Sequence, residues 1–192
     1  STSTDCFGDQ KKKCNEKTVF SPLSPYAKSK SFAYWIVKYY REFFNVSCVS
    51  GIVSNHESVL RPENFATKKI IYYAQNFNNK KKLIMGNTNV YRDWGWAPDF
   101  VEAIYKINNA KKRDDYIVST GKSVSLDSII KKVFSICKIN KKFYIKNNNK
   151  YKRVNEIKKV FCDNGKIKKN LGWKPKHNIN DIISKLLNNE IF

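Results

Sequence analysis

The sequence of 192 residues is poor in the residues that form tight turns and crosslinks: it has only seven glycines, five prolines and five cysteines. The glycines lie far apart, and none of them forms the glycine-rich turn that meets a pyrophosphate group at a helix N-terminus. A self-contained dinucleotide-binding unit is therefore excluded. We expect either a piece of a longer protein or a diverged remnant of one.

The cysteines, at positions 6, 14, 48, 137 and 162, include no Cys-x-x-Cys pair and are odd in number. This arrangement argues against a disulfide framework and a zinc site, and it favours a reducing compartment. The sequence also shows no signal peptide and no apolar run long enough to cross a bilayer. We expect a cytoplasmic protein with no metal and no membrane partner.

Acidic residues are scarce: 16 Asp and Glu stand against 37 Lys and Arg, which gives a formal net charge of +21. One interpretation is a nucleic-acid-binding protein, because Lys-rich surfaces neutralise phosphates and release counterions. The other is a general excess of solvated lysines. The lysine clusters are spread along the whole chain, without an arginine-rich stripe or a nucleic-acid-binding motif. We therefore expect no specific nucleic acid partner, but general attraction for a substrate that carries a diphosphate.

Apolar residues, at 41%, are numerous enough for a packed core. Hydrophobic periodicity predicts that short strands alternate with helices, which is typical of an α/β protein with a largely parallel sheet. A polar loop is expected at residues 54–63. The predicted strands lie near residues 1–4, 46–53, 82–85, 90–94, 115–119 and 142–145, and the predicted helices near 26–44, 66–77, 98–107, 125–137, 164–170 and 179–189.

Tyr26 and Lys30 lie four residues apart at the start of the first predicted helix, so both side chains emerge on one face. A phenol normally loses its proton near pH ~10, and a nearby cation favours the phenolate. A tyrosine in this setting can act as a base near neutral pH. Taken alone, however, the pair is also explained as an ordinary surface contact.

Further polar residues follow the ends of two predicted strands. Ser3 and Asp5 follow the first strand, and the sequence Asn55-His56-Glu57-Ser58 follows the second. In an open α/β sheet, ligands bind at the carboxyl ends of the strands. We therefore expect a hydroxyl, a carboxylate, the tyrosine–lysine pair and an amide to meet at one edge of the sheet.

Six motifs stand out along the chain. They are Ser24-Pro25-Tyr26-Ala27 with Lys30, Ala33-Tyr34-Trp35-Ile36, Tyr40-Arg41-Glu42, Asn55-His56-Glu57-Ser58, Arg92-Asp93-Trp94-Gly95 and Leu171-Gly172-Trp173-Lys174-Pro175. From about residue 1 to residue 190, the chain resembles the GDP-mannose 4,6-dehydratases, within the extended short-chain dehydrogenase/reductase family. The last motif is common to the whole extended group, and the other five are typical of the GDP-mannose 4,6-dehydratases.

The resemblance implies an α/β fold: the C-terminal part of a Rossmann-like parallel sheet and a smaller α/β substrate-binding lobe. Residues 1–192 would form one partial domain. Residues 1–55 would complete the Rossmann core and carry the active-site helix, and residues 56–192 would form mainly the substrate lobe, interleaved with late strands of the sheet. Because the substrate-side motifs are mostly intact, we expect a fragment rather than a remnant, with little activity on its own.

The reaction implied by the resemblance is a dehydration of GDP-mannose to GDP-4-dehydro-6-deoxy-mannose, a precursor of GDP-fucose, with NADP as the cofactor. Tyr26 would take the proton of the 4-hydroxyl group, and Lys30 would hold the phenolate and the nicotinamide ribose. Ser3 and Asp5 stand where the family has a catalytic threonine and a catalytic glutamate. Asp5 is shorter by one methylene group, which changes the distance for proton transfer.

The same resemblance assigns binding roles. Asn55 would contact the diphosphate sugar. The residues that would contact the cofactor are Tyr26, Lys30, His56 and Arg61. For His56, bracing its own loop is an equal alternative. Residue 68 is an equal alternative to Lys69, and a local ion pair with Asp93 is the alternative for Arg92. The residues assigned to the phosphates, ribose and guanine of the nucleotide are Lys69, Arg92, Arg153 and Glu156.

One departure from the family lies at Val59-Leu60-Arg61-Pro62-Glu63, where the family has two arginines and a glycine, in a loop associated with tetramer contacts. We expect a homo-oligomer, either a dimer or a tetramer. Two other functions remain as alternatives. The first is another nucleotide-sugar dehydratase or epimerase, and the second is a basic binding module that has lost catalysis.

Overall fold

A computed structural model of the chain describes residues 1–146, 148, 151 and 155–191. Helices and strands alternate along it, as the sequence predicts. The helices are α1 (Pro25–Phe43), α2 (Ala66–Gln75), α3 (Ala97–Asn108), α4 (Leu126–Ile136), α5 (Gly165–Leu171) and α6 (Ile179–Leu187). The strands are β1 (Thr2–Ser3), β2 (Gly51–Val53), β3 (Asn55–Glu57), β4 (Leu83–Ile84), β5 (Tyr91–Trp96), β6 (Tyr116–Val118), β7 (Ser123–Ser125) and β8 (Tyr144–Ile145).

Local chemistry fixes both ends of α1, the helix that carries Tyr26. At its start, the hydroxyl oxygen of Ser24 accepts a hydrogen bond from the backbone N–H of Ala27 at 3.1 Å. Pro25 occupies the first turn, where its missing N–H costs nothing. The helix ends before Asn45, whose φ of 52° is left-handed, a conformation that asparagine tolerates better than most residues.

The first sheet has the strand order β1-β2-β6, and its strands are parallel. Ser3 pairs with Val53, and Val53 pairs with Val118, so the carboxyl ends of the three strands lie at one edge. Because α1 follows β1, its first turn lies at this same edge. The register therefore places the residues that follow each strand beside the start of α1.

Helices cover both faces of this sheet. Ile52 and Ile117 point to one face and pack in the same cluster as Tyr34 of α1. Val118 points to the other face and packs in a cluster with Phe100 of α3. This alternation follows from the two-residue period of a strand, and it explains why β2 and β6 are mainly apolar on both faces.

A second sheet has the order β3-β5-β7, and β4 and β8 form a two-stranded parallel pair. Helices α2, α4 and α6 pack here around the largest of the three hydrophobic clusters among the described residues. Their apolar side chains recur at helical spacing, as with Ile130, Val133 and Phe134 in α4 and Ile183 and Leu186 in α6.

The α/β class with mainly parallel strands is confirmed, but three local predictions differ from the structure. Residues 55–57 form a strand within the predicted polar loop, because they pair with Trp94 and its neighbours in β5. Of the predicted strand at residues 46–53, only the last three residues enter the sheet. Residues 123–125 form an unpredicted strand that runs antiparallel to β5. The division of the chain near residue 55 stays a prediction.

None of the described helices combines the length and the apolar character that are needed to cross a bilayer. The longest, α1, has 19 residues, but its side chains include Lys28, Lys38, Arg41 and Glu42.

Candidate active site

Ser3 and Asp5 lie where β1 turns into a short 3-10 helix at Thr4–Phe7. The hydroxyl oxygen of Ser3 accepts a hydrogen bond from the backbone N–H of Asp5 at 3.2 Å. The turn ends at Gly8, whose φ is 68°. A side chain there would collide with the carbonyl oxygen of Ser21, so the chain needs glycine to pass this point. The tight turn leaves Ser3 and Asp5 half-buried at the sheet edge.

Tyr26 and Lys30 lie together on the first turns of α1, as predicted. The ammonium nitrogen of Lys30 is 6.0 Å from the centroid of the Tyr26 ring and 3.4 Å from the carbonyl oxygen of Ser1. The helix is tied to β1, because the hydroxyl of Thr2 donates to the carbonyl oxygen of Lys30 at 2.8 Å. Tyr26 remains 54% exposed, so its phenol is open to a ligand.

Asn55 lies two residues after Val53, the strand partner of Ser3. It begins β3 and is half-buried. The structure therefore brings five predicted residues to one edge of the first sheet, which we call the sheet-edge group: Ser3, Asp5, Tyr26, Lys30 and Asn55.

Asp93 ties the two sheets together at this point. It is buried, and its carboxylate accepts hydrogen bonds from the hydroxyl of Ser54 at 3.1 Å and from the backbone N–H groups of Thr120 at 2.8 Å and Lys122 at 3.1 Å. Burial raises the pKa of Asp93, and these hydrogen bonds oppose that shift. The contacts give Asp93 a structural role, holding the residue before Asn55 in place.

The guanidinium group of Arg92 is fixed by the main chain. It donates to the carbonyl oxygen of Tyr91 at 2.9 Å and to that of Ile157 at 2.8 Å. Tyr91 is in β5, and Ile157 belongs to the segment that follows Glu156. Arg92 therefore joins β5 to the segment that carries a second predicted substrate residue.

Lys69 and Glu156 are also held by neighbouring groups. Lys69 donates to the carbonyl oxygen of Ile84 at 2.9 Å, and its ammonium nitrogen lies 4.4 Å from the centroid of the Tyr151 ring. Glu156 accepts a hydrogen bond from the side-chain amide of Asn87 at 2.7 Å. Lys68 points elsewhere, to the carbonyl oxygen of Val59 at 2.9 Å, so Lys69 is the lysine beside the turn after β4.

We call Lys69, Asn87, Arg92 and Glu156 the lobe group. Asn87 was not predicted as a site residue, because the sequence Gly86-Asn87 indicates a turn between strands. Arg153, the remaining predicted nucleotide-binding residue, lies outside the described residues.

His56 and Arg61 are held by their own loop. The Nδ1 atom of His56 is 2.9 Å from the carbonyl oxygen of Ser54, and the ring is exposed. Arg61 donates to the carbonyl oxygen of His56 at 2.5 Å, and its Nε atom lies 3.3 Å from a carboxylate oxygen of Glu57. The guanidinium group also covers the Phe65 ring, at 4.0 Å from its centroid.

Glu57 is an unpredicted buried acid, only 1% exposed. Burial raises its pKa to about 7, although the positive charge of Arg61 and a short hydrogen bond from the hydroxyl of Thr67 act in the opposite direction. A carboxyl group with this pKa changes its charge near neutral pH. The sequence pattern gave no sign of burial, because it indicated a solvated loop here.

Comparison with known proteins agrees with the motifs. The family model described as GDP-mannose 4,6 dehydratase matches residues 1–186. The chain is 35% identical over 191 residues to GDP-mannose 4,6 dehydratase 1 of Arabidopsis thaliana, covering 98% of this chain and 53% of that protein. It is 32% identical over 199 residues to the GDP-mannose 4,6 dehydratase of Homo sapiens, covering 92% of this chain and 52% of that protein. The chain thus spans about half the length of these curated relatives.

Solved structures show the same fold at low sequence identity. A dTDP-glucose 4,6-dehydratase of Streptomyces venezuelae, solved with NAD, superposes with a TM-score of 0.88 at 15% identity, covering 97% of this chain and 57% of that one. The RMD protein of Pseudomonas aeruginosa, solved with NADPH, gives a TM-score of 0.85 at 19% identity, covering 98% and 64%. The Rossmann-like class predicted from the sequence is confirmed.

Proposed function

The chain belongs to the GDP-mannose 4,6-dehydratase family, and from this membership we propose that it forms the substrate-side part of an enzyme that converts GDP-mannose into GDP-4-dehydro-6-deoxy-mannose. The observation that carries the proposal is the sheet-edge group. Two strand ends and one helix start deliver a phenol, an ammonium group, a hydroxyl, a carboxylate and an amide to the same edge. That set matches the proton transfers that such a dehydration requires.

In this proposal Tyr26 accepts the proton of the sugar 4-hydroxyl group, and the ammonium group of Lys30 stabilises the resulting negative charge. Ser3 hydrogen-bonds the same hydroxyl region of the sugar. Asp5 removes the proton from C5 and protonates the hydroxyl group that leaves C6 as water. Asn55 holds the diphosphate-sugar end, so that C4 lies near Tyr26.

We propose NADP as the cofactor, in agreement with the structures of similar fold that hold NAD or NADPH. When bound, it would supply the hydride acceptor that opens the reaction and the donor that closes it. The exposed phenol of Tyr26 and the nearby Lys30 fit the nicotinamide end. The exposed His56 ring fits a further contact. Arg61 fits only through nitrogens not already directed to Glu57 and the His56 carbonyl.

For the nucleotide, the lobe group offers two cations and a carboxylate. Arginine and lysine side chains suit phosphate oxygens, and a carboxylate accepts two donors from the edge of guanine. We propose that Lys69, Arg92 and Arg153 contact phosphates and ribose, and that Glu156 contacts guanine. The anchoring of Lys69 and Arg92 to main-chain carbonyls supports this role, because it orients both side chains before the ligand arrives.

We also propose a homo-oligomer in the cytoplasm, assembled through the outer face of α1. On this face Phe32, Ile36, Tyr39 and Phe43 recur at spacings of four, three and four, and they are between 40% and 72% exposed. A helix that is apolar on both faces is normally buried on both. Sedimentation of wild type and Phe43→Glu tests the face: the variant should sediment as the smaller species, and an unchanged size would contradict it.

The test of the reaction joins the chain to a dinucleotide-binding unit taken from a relative such as the Arabidopsis protein. We expect formation of a 4-keto-6-deoxy sugar that depends on GDP-mannose, and its loss in Tyr26→Phe. Tyr105→Phe is the matched control, since Tyr105 is 71% exposed on α3, a helix that carries none of the sheet-edge group. Full activity of Tyr26→Phe would remove the proposed base. Tighter binding of UDP or dTDP than of GDP would redirect the proposal to a pyrimidine-nucleotide sugar.

A further inference from the structure

The amide of Asn87 is fixed at both ends. Its oxygen accepts a hydrogen bond from the backbone N–H of Asn89 at 3.0 Å, so its nitrogen is the atom that points to Glu156. That nitrogen donates to one carboxylate oxygen of Glu156 at 2.7 Å, the length of a strong charge-assisted hydrogen bond. Both side chains are half-buried. Asn87 therefore sets the direction in which the carboxylate of Glu156 faces.

The contact joins segments that lie 69 residues apart in the sequence, and the backbone is shaped to allow it. A Cβ atom added to Gly86 would lie 2.7 Å from the carbonyl oxygen of Tyr151, so only glycine permits this approach. The backbone N–H of Asn148 also donates to the carbonyl oxygen of Met85 at 3.0 Å. These contacts hold Asn148 and Tyr151 against the turn after β4.

A carboxylate has four lone-pair sites on its two oxygens, and Asn87 uses one of them. The remaining sites can accept the N1–H and the 2-amino group of guanine together, if the plane of the carboxylate is aligned with the base. A carboxylate free to rotate would make the second bond less often. Hypoxanthine offers the N1–H alone, because it lacks the 2-amino group.

We infer that Asn87 is a specificity-determining positioning residue: it holds Glu156 in the orientation that distinguishes guanine from purines without a 2-amino group. The inference rests on the proposed function, in which Glu156 contacts the base. Selectivity for GDP is then set by a residue that does not itself contact the base.

The test compares the affinities of the chain for GDP and for IDP by titration calorimetry, in wild type, Asn87→Ala and Asn89→Ala. We expect wild type to prefer GDP by about tenfold, the usual effect of one well-placed hydrogen bond. Asn87→Ala should bind the two nucleotides almost equally. Asn89→Ala is the matched control, because it shortens an exposed amide in the same turn and keeps the backbone N–H that Asn87 accepts from.

The variant Asn87→Asp separates orientation from mere folding. At pH 8 two carboxylates would repel each other, and the preference for GDP should be lost. As the pH falls toward 5.5, a proton shared by the pair restores a donor to Glu156, and the preference should return. Wild type is measured at the same pH values, because other charged groups, Lys69 among them, lie nearby.

The outcomes distinguish the inference from the proposed function. If Asn87→Ala keeps the wild-type preference for GDP, or if Asn87→Asp shows no recovery at low pH, the positioning role is wrong, while the dehydratase proposal stands. If wild type shows no preference for GDP over IDP, the assignment of Glu156 to the base fails, and the inference fails with it. Circular dichroism spectra confirm that each variant is folded.

Discussion

The sheet-edge group and the lobe group differ in how the protein holds them. In the lobe, Arg92 bridges two carbonyl oxygens, and Glu156 is oriented by an asparagine. At the sheet edge, Tyr26 is 54% exposed, and the ammonium group of Lys30 reaches a carbonyl oxygen only at 3.4 Å. The proposed recognition residues are therefore oriented before a ligand binds, whereas Tyr26, the proposed base, is exposed to solvent. Binding and chemistry should then respond separately to mutation.

The largest difference between the effect on turnover and the effect on GDP affinity is expected for Lys30→Met. Loss of the ammonium group removes the charge that stabilises an anion on Tyr26, and turnover of the joined enzyme should fall about 1000-fold. GDP affinity and the unfolding midpoint should stay unchanged, because the long hydrogen bond to Ser1 contributes little.

Lys28→Met is the control for this variant, since Lys28 is exposed on the same helix. It should keep full turnover. An equal loss of GDP affinity and turnover in Lys30→Met would contradict the assignment of binding and chemistry to separate groups, because it would place the nucleotide at the sheet edge.

The buried Glu57 belongs to neither group, and its effect is expected in the pH dependence of stability. Its pKa is about 7 in the folded chain, against 4.5 as the ordinary value. Between these values the folded chain keeps the proton that the unfolded chain releases, so the free energy of unfolding falls as the pH rises. The loss should be complete above pH ~7 and reach roughly 3 kcal/mol.

Glu57→Gln removes this titration. Between pH 5 and pH 7.5, the free energy of unfolding measured with urea should therefore fall less in the variant than in wild type. Glu63→Gln is the control, because Glu63 lies exposed in the same loop. An identical pH dependence in wild type and Glu57→Gln would mean that Glu57 is ionised throughout, paired with Arg61.

The sequence predicted the contacts that depend on local spacing. Tyr26 and Lys30 meet because residues four apart share a face of a helix, and the capping serine and proline fix where that helix begins. It did not predict β3, which is stabilised by pairing with Trp94 and its neighbours, about 40 residues further on. The Asn87–Glu156 contact was missed for the same reason, since a turn asparagine carries no local sign of a distant partner.

Arg92→Lys tests whether the two hydrogen bonds of the Arg92 guanidinium group orient the lobe group for nucleotide binding. A lysine can reach one of the two carbonyl oxygens, of Tyr91 or Ile157, but not both with the same geometry. GDP affinity should fall roughly thirtyfold, or about 2 kcal/mol, with a smaller loss of stability. Arg113→Lys makes the same change at an exposed arginine that donates to the carbonyl oxygen of Asn108, and it should alter neither quantity. Unchanged GDP affinity in Arg92→Lys would place the nucleotide elsewhere.

The smallest effect is expected for Asp5→Glu, and it is a gain. The turn at Thr4–Phe7 fixes the backbone of Asp5 through the cap from Ser3, so the length of the side chain decides how far its carboxylate reaches. The added methylene group gives the acid/base arm the length that the family resemblance implies. Turnover of the joined enzyme should rise about tenfold with GDP affinity unchanged. Asp9→Glu, in the exposed loop that follows, should have no effect. A fall in turnover would show that the loop has already adapted to the shorter acid and leaves no room for a longer side chain at residue 5.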